Sequence, residues 1–178
     1  MLNAIPSDLF FCGIAGSGMS ALAALLSVRG HRVRGSDRSI DAGTPPAVVA
    51  ALRTMGIQTS PQDGSGVGPG TGAVVVSSAV ESDIPDVVAA KALGIPVVTR
   101  AELLARVFNQ GVGVAVGGTS GKTTVTGMIA HVLRENGRDP TVINGGRMLN
   151  SLPCDPLSSV WTGDSELTQG VGTYTVVE

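Results

Sequence analysis

Residues 117–124 read GGTSGKTT. Gly121, Lys122 and Thr123 have the form of a phosphate-binding loop that opens a helix, and the reading of this stretch decides the fold. The usual spacing is G-x-x-x-x-G-K-[ST]. Here Val116 stands where the first glycine of that pattern belongs, so the loop is one residue short. Its context still favours phosphate. The apolar run VGVAVG (112–117) precedes it as a strand, and KTTVTGMIAHVLRENG (122–137) follows with helical length and a terminal glycine. The first N–H groups of a helix have no intrahelical acceptor, so they suit a polyphosphate. In such a loop Lys122 would neutralise the β- and γ-phosphates and the Thr123 hydroxyl would reach Mg2+, with Thr124 adding a hydroxyl in the first turn. The alternative is a plain glycine turn with a lysine at the helix start.

A second glycine turn lies upstream. GIAGSG (13–18) follows the apolar run DLFFCGI (8–14) and opens SGMSALAALLSVRG (17–30), a stretch of helical length. Strand, glycine turn and helix in that order are the context of a dinucleotide-type fingerprint. Matched to G-x-G-x-x-G, the positions are Gly13, Ala15 and Gly18, with Gly16 able to supply the freedom that Ala15 lacks. Asp37 ends the next strand, HRVRGSD (31–37), where an acid can bond ribose hydroxyls or serve only as a turn residue. The turn by itself admits a nucleotide diphosphate, NAD, or a tight structural bend.

Outward from these loops the chain alternates. A helix is expected over 44–56, a short strand over 57–60, a glycine-rich surface loop over 61–72, and a strand over 73–80. A helix over 84–94, a strand over 96–99 and a helix over 100–108 follow. This is the signature of a doubly wound parallel sheet. After a hinge at 109–111 the pattern restarts, with strands over 112–117, 140–145 and 173–178 and an irregular stretch over 146–171. The expected fold class is therefore α/β: a Rossmann-like parallel-sheet domain over 1–108, then the start of a P-loop ATPase α/β domain over 109–178. The final strand ends at Glu178, an acid in the place where a P-loop ATPase holds Mg2+, or else a solvated chain end.

Composition agrees. Aromatics make up only 3% of the chain, so Ala, Val, Leu and Ile must build the core. A net charge of −2 provides no basic field for nucleic acid. The apolar runs are too short to span a bilayer, and the N-terminus lacks the basic region of a signal peptide. Cys12 and Cys154 are expected as free thiols in a reducing cytoplasm. His131 reads as a surface or packing residue of its helix, and nothing in the sequence sets an oligomeric state.

Together the two glycine loops resemble the Mur ligase family. Gly118-Thr119-Ser120-Gly121-Lys122-Thr123 fits the family's shorter loop, GTxGK[ST]. GIAGSGMSALA (13–23) is similar to its GIGGxGMSGIA, and GSD (35–37), VVVSSAV (74–80), IPVVTRAELLA (95–105) and Asn-Gly-Gly (144–146) line up in order. The resemblance is greatest to the branch that joins UDP-N-acetylmuramate to L-alanine in peptidoglycan synthesis. It implies ATP and Mg2+ as cofactors, with UDP-N-acetylmuramate and an amino acid or short peptide as substrates. The family phosphorylates a carboxylate with ATP, and an amine then attacks the acyl phosphate. By resemblance Gly118, Thr119, Ser120, Gly121, Lys122, Thr123 and Thr124 bind ATP. Lys122 is also the catalytic cation, and Thr123 and Glu178 hold Mg2+. Gly13, Ala15, Gly16, Ser17 and Gly18 cradle the diphosphate of the UDP-sugar, Asp37 meets its uridine part, and Ser77, Ser78 and Arg100 complete that site. Ala15 replaces a family glycine, and Ser120 replaces the His of the alanine-adding branch. The family's later metal-binding His and its amino-acid-binding domain have no counterpart in this sequence, so the chain by itself is expected not to ligate.

Overall fold

Val-, Leu- and Ala-rich runs form the buried strands and the helices that cover them. The computed structural model describes residues 4–77, 83–146, 148, 159–163 and 174–178. The chain divides into two units, Met1–Leu104 and Ala105–Glu178.

In the first unit β1 (Asp8–Cys12) leads through the glycine turn into α1 (Ser17–Val28), then β2 (Arg32–Ser36). A short α2 (Arg38–Asp41), α3 (Ala47–Thr54), β3 (Gln58–Ser60), β4 (Ala73–Val76), α4 (Pro85–Ala92), β5 (Val97–Thr99) and α5 (Arg100–Phe108) follow, with α5 running across the division between the units. The sheet order is β3-β2-β1-β4-β5, and every pairing is parallel. Strands buried on both faces need continuous apolar sequence, and Leu9, Phe10, Phe11, Val74 and Val75 supply it. Met19 through Leu26 of α1 are all buried, a helix enclosed on every side. Gly35 allows the close approach behind the first turn: a Cβ there would stand 2.5 Å from the Phe11 carbonyl oxygen and 2.8 Å from Ile14 Cδ1.

Two expectations shift. The helix expected over 44–56 begins only at Ala47, because Pro45 holds the residue before it extended and Pro46 is an extended N-cap, at φ −65° and ψ 159°. The four-residue α2 precedes it, capped by Asp37, whose side chain accepts from the Ser39 amide.

In the second unit β6 (Val112–Ala115), α6 (Lys122–Glu135), β7 (Thr141–Ile143), β8 (Val160–Trp161) and β9 (Tyr174–Val177) form a sheet of order β6-β9-β7-β8. β9 lies parallel between β6 and β7, and β8 runs antiparallel to β7. Ala130 of α6 packs with Val142 and Val176. β8 falls in the stretch expected to be irregular. Ser78 and Cys154 lie outside the described residues.

Candidate functional sites

In the first unit the strand order reverses between β1 and β4, and open α/β sheets bind ligands outside the carboxyl ends of such a pair. A cleft of ≈ 220 Å³ lies there, lined by Cys12, Gly13, Asp37, Arg38, Gln62 and Ser77. Gly13 carries the left-handed backbone of the turn, at φ +78°. Gly16 is extended, at φ −61° and ψ 141°, a conformation open to any residue.

Most amides of the turn are already engaged. Those of Gly13 and Ile14 donate to the Ser36 carbonyl at 2.9 and 2.8 Å, and that of Gly16 to the Gly13 carbonyl at 3.2 Å. The Ala15 amide donates to Asp37 Oδ2 at 2.9 Å. The donors that remain for an anion are those of the first turn of α1, at Ser17 and Gly18, since a helix leaves its leading N–H groups unpaired. That turn has no acidic residue and no side-chain cap. Arg100, at the start of α5, lays its guanidinium over Gly18, and a Cβ there would stand 3.2 Å from Nη1. Among the described residues Arg100 has no carboxylate partner. An uncapped helix N-terminus beside a guanidinium is an arrangement that can take an anion. Asp37 is spent largely on the fold: besides the Ala15 amide, it accepts from the Ser39 amide at 3.0 Å and the Ser39 hydroxyl at 2.7 Å.

In the second unit the loop between β6 and α6 holds the other cluster. Gly121 is the N-cap of α6 in the left-handed region, at φ 78°, again with no side-chain cap and no acid in the first turn. Lys122 folds back so that Nζ donates to the Gly118 carbonyl at 3.0 Å. Gly118, Thr119, Ser120 and Thr124 are exposed around it. The Val116 amide donates to the Val177 carbonyl at 2.8 Å, which brings the end of β9 beside the loop.

Glu178 follows directly. A Cβ on Gly145 would overlap Glu178 Oε1 and stand 3.6 Å from Thr123 Oγ1, so the carboxylate and the hydroxyl converge on that bare glycine. Asn144 is buried nearby, and its Nδ2 donates to the Thr123 carbonyl at 3.2 Å. Glu178 Oε2 and Asn144 Oδ1 are buried oxygens with no hydrogen-bond partner among the described residues. Orphaned buried oxygens ask for a donor or a cation, and an oxygen set beside a phosphate loop fits Mg2+. Sequence reasoning left Asn144 without a contact; its position at the end of β7, beside the loop helix, becomes visible only in the pairing of the strands. His131 lies on the exposed face of α6 with its ring 3.9 Å from Glu135, a surface pair.

A sequence model of the Mur ligase family, catalytic domain, matches residues 9–111. The chain is 42% identical over 160 residues to a UDP-N-acetylmuramate–L-alanine ligase of Cupriavidus metallidurans, covering 90% of this chain and 32% of that protein. It is 42% identical over 170 residues to the same-named ligase of Methylibium petroleiphilum, covering 96% of this chain and 33% of that protein. The chain thus spans about a third of the length of these relatives. Among solved structures, a UDP-N-acetylmuramate-alanine ligase from Thermotoga maritima superposes with a TM-score of 0.78 at 29% identity, covering 96% of this chain and 36% of that one. A Neisseria meningitides UDP-N-acetylmuramate:L-alanyl-gamma-D-glutamyl-meso-diaminopimelate ligase shares the fold, with a TM-score of 0.79 at 24% identity over 96% of this chain and 52% of that one.

Proposed function

Since the chain belongs to the Mur ligase family, we propose that it provides the UDP-sugar domain and the opening of the ATP domain of a ligase joining UDP-N-acetylmuramate to L-alanine in the cytoplasm. We place the domain boundary at the hinge 109–111, at the end of α5 and a few residues beyond the division between the two units. One observation carries the reading. Each glycine turn opens a helix with no acid in its first turn, and each helix start has its own cation, Arg100 over Gly18 and Lys122 beside Gly118.

In the first unit the amides of Ser17 and Gly18 and the Arg100 guanidinium hold the diphosphate, with Gly13, Ala15 and Gly16 shaping the turn. Asp37 orients the turn through the Ala15 amide and faces the nucleoside end of the cleft, with Ser77 on the β4 side. In the second unit residues 118–124 wrap the polyphosphate of ATP, and Lys122 offsets the charge that gathers on the transferring phosphoryl oxygens. Thr123 and Glu178 would hold Mg2+, which would offset phosphate charge there, and the Glu178 oxygen without a hydrogen-bond partner would be one of its ligands. ATP, when bound, supplies the phosphoryl group that gives the substrate carboxylate a leaving group.

Calorimetric titration of the 178-residue chain tests this. UDP-N-acetylmuramate should bind saturably, NAD should not, and Arg100→Ala should raise Kd about tenfold, the value of one charge-assisted hydrogen bond. Binding of NAD in place of the UDP-sugar, or an Arg100→Ala variant that binds as tightly as wild type, would overturn the reading.

A further inference from the structure

Asp86 occupies the first turn of α4, where a carboxylate ordinarily faces the helix N-terminus and water. Here it is fully buried, at 0% exposure, and among the described residues no cation pairs with it. Burial holds its pKa above the usual carboxylate range. A buried charge survives only where donors converge on it. Oδ2 accepts from the Ser36 hydroxyl at 2.5 Å, and Oδ1 from the Gly64 amide at 3.0 Å. These donors come from two separate parts of the cleft wall: the end of β2, and the turn over residues 61–66.

That turn approaches α4 closely. Gly64 has φ +86°, and a Cβ there would stand 3.1 Å from the Pro85 carbonyl oxygen. Two residues earlier, Gln62 closes the side of the cleft. Its Oε1 accepts from Arg38 Nε at 3.1 Å, its Nε2 donates to Cys12 Sγ at 3.3 Å, and its amide donates to Asp41 at 3.2 Å. The far end of the turn is pinned separately, where Arg34 Nη1 donates to the Gly66 carbonyl at 2.7 Å.

We propose that Asp86 is a positioning residue for the cleft: it holds the turn that carries Gln62 and, through Ser36, the strand end that carries Asp37. The proposal rests on the reading of this cleft as the nucleotide site of a UDP-sugar. An alanine in its place offers no acceptor, so the Ser36 hydroxyl and the Gly64 amide would both lose their partner and the turn would come loose.

The test combines hydrogen exchange with calorimetry on the 178-residue chain. In Asp86→Ala the Gly64 amide should exchange at least about tenfold faster while that of Val75 in β4 is unchanged, the mark of a local rather than a global opening. Kd for UDP-N-acetylmuramate should rise about tenfold. Gln62→Ala, a change in the turn itself, should raise Kd alone, and added to Asp86→Ala it should change Kd by less than about threefold, because both act through one wall. Unchanged Gly64 exchange, an unchanged Kd, additive effects, or loss of cooperative unfolding in Asp86→Ala would each overturn the proposal, the last by assigning Asp86 to the core alone. A wild-type chain that binds no UDP-sugar would sink the ligand reading by itself, and Gly64 exchange would still decide whether Asp86 holds the turn.

Discussion

Cys12 shows how far a residue's surroundings outweigh its type. It ends β1 at the rim of the cleft, yet it is 1% exposed, and burial together with the Asp86 carboxylate beside it pushes the thiol from 9.0 up to about 12. The thiolate is the reactive form, so alkylation by iodoacetamide at pH 8 should be at least about a hundredfold slower at Cys12 than for free N-acetylcysteine. Peptide mapping by mass spectrometry reads this directly, and a rate matching the free thiol would contradict it. The same shift has a stability consequence. A group whose folded pKa lies above its unfolded value contributes stability that is whole below the unfolded value and lost as pH climbs toward the folded one. Wild type should therefore lose stability relative to Cys12→Ala between pH 9 and 12, by at most about 1.4 kcal/mol per pH unit. Urea unfolding of both proteins at matched pH reads the difference, and parallel curves would refute it. None of this was legible in the sequence, where Cys12 reads only as a small apolar residue in a strand; the Asp86 beside it is 74 positions away in the chain.

At the scale of elements, legibility follows how local the determining physics is. α5 spans Arg100–Phe108, the range its pattern predicts, and α4 begins at Pro85, where proline fits the first helical position. The α/β alternation was readable because each element carries its own period and its own glycine stop. β8 was not readable: its two residues are strand only because Val142 pairs with Trp161, a partner that no local pattern announces. The donors of the first glycine turn were only half readable. The spacing of GIAGSG marks a turn, but only the fold shows that Ser36 and Asp37 occupy most of its amides, which moves the proposed anion site to Ser17, Gly18 and Arg100. The second loop depends on one glycine. Gly121 caps α6 with φ 78°, and a side chain there costs about 1–2 kcal/mol. Gly121→Ala should lower the unfolding free energy of the second unit by about that amount and weaken binding of Mg-ATP, while UDP-N-acetylmuramate binding stays within about twofold, since the strain is confined to one turn. Chemical denaturation and paired titrations measure both, and a variant as stable as wild type would show that Gly121 carries no strain.

At the scale of the whole chain, the two proposed anion sites fall in two units with separate sheets, so the ligands should report on different residues. The described residues contain no helix long and apolar enough to cross a membrane. A ligand that binds only the native state stabilises what it touches, by about 2.7 kcal/mol at a hundredfold excess over Kd. Bound UDP-N-acetylmuramate should therefore slow amide exchange in the first turn of α1, around Ser17 and Gly18, and leave the loop over 117–124 unchanged. Mg-ATP should protect that loop and the first turn of α6, including Thr123, and leave Ser17 and Gly18 unchanged. The second unit faces a harder task, because α6 exposes Val125, Met128 and Val132 along one side and its buried cluster among the described residues is small. Its amides should accordingly exchange faster than those of β1 and β4 in the absence of ligand, since a small core opens more often. Hydrogen exchange with and without each ligand settles the assignment. Protection of 117–124 by the UDP-sugar, or of Ser17 and Gly18 by Mg-ATP, would reverse the roles of the two glycine loops and with them the proposed division of labour.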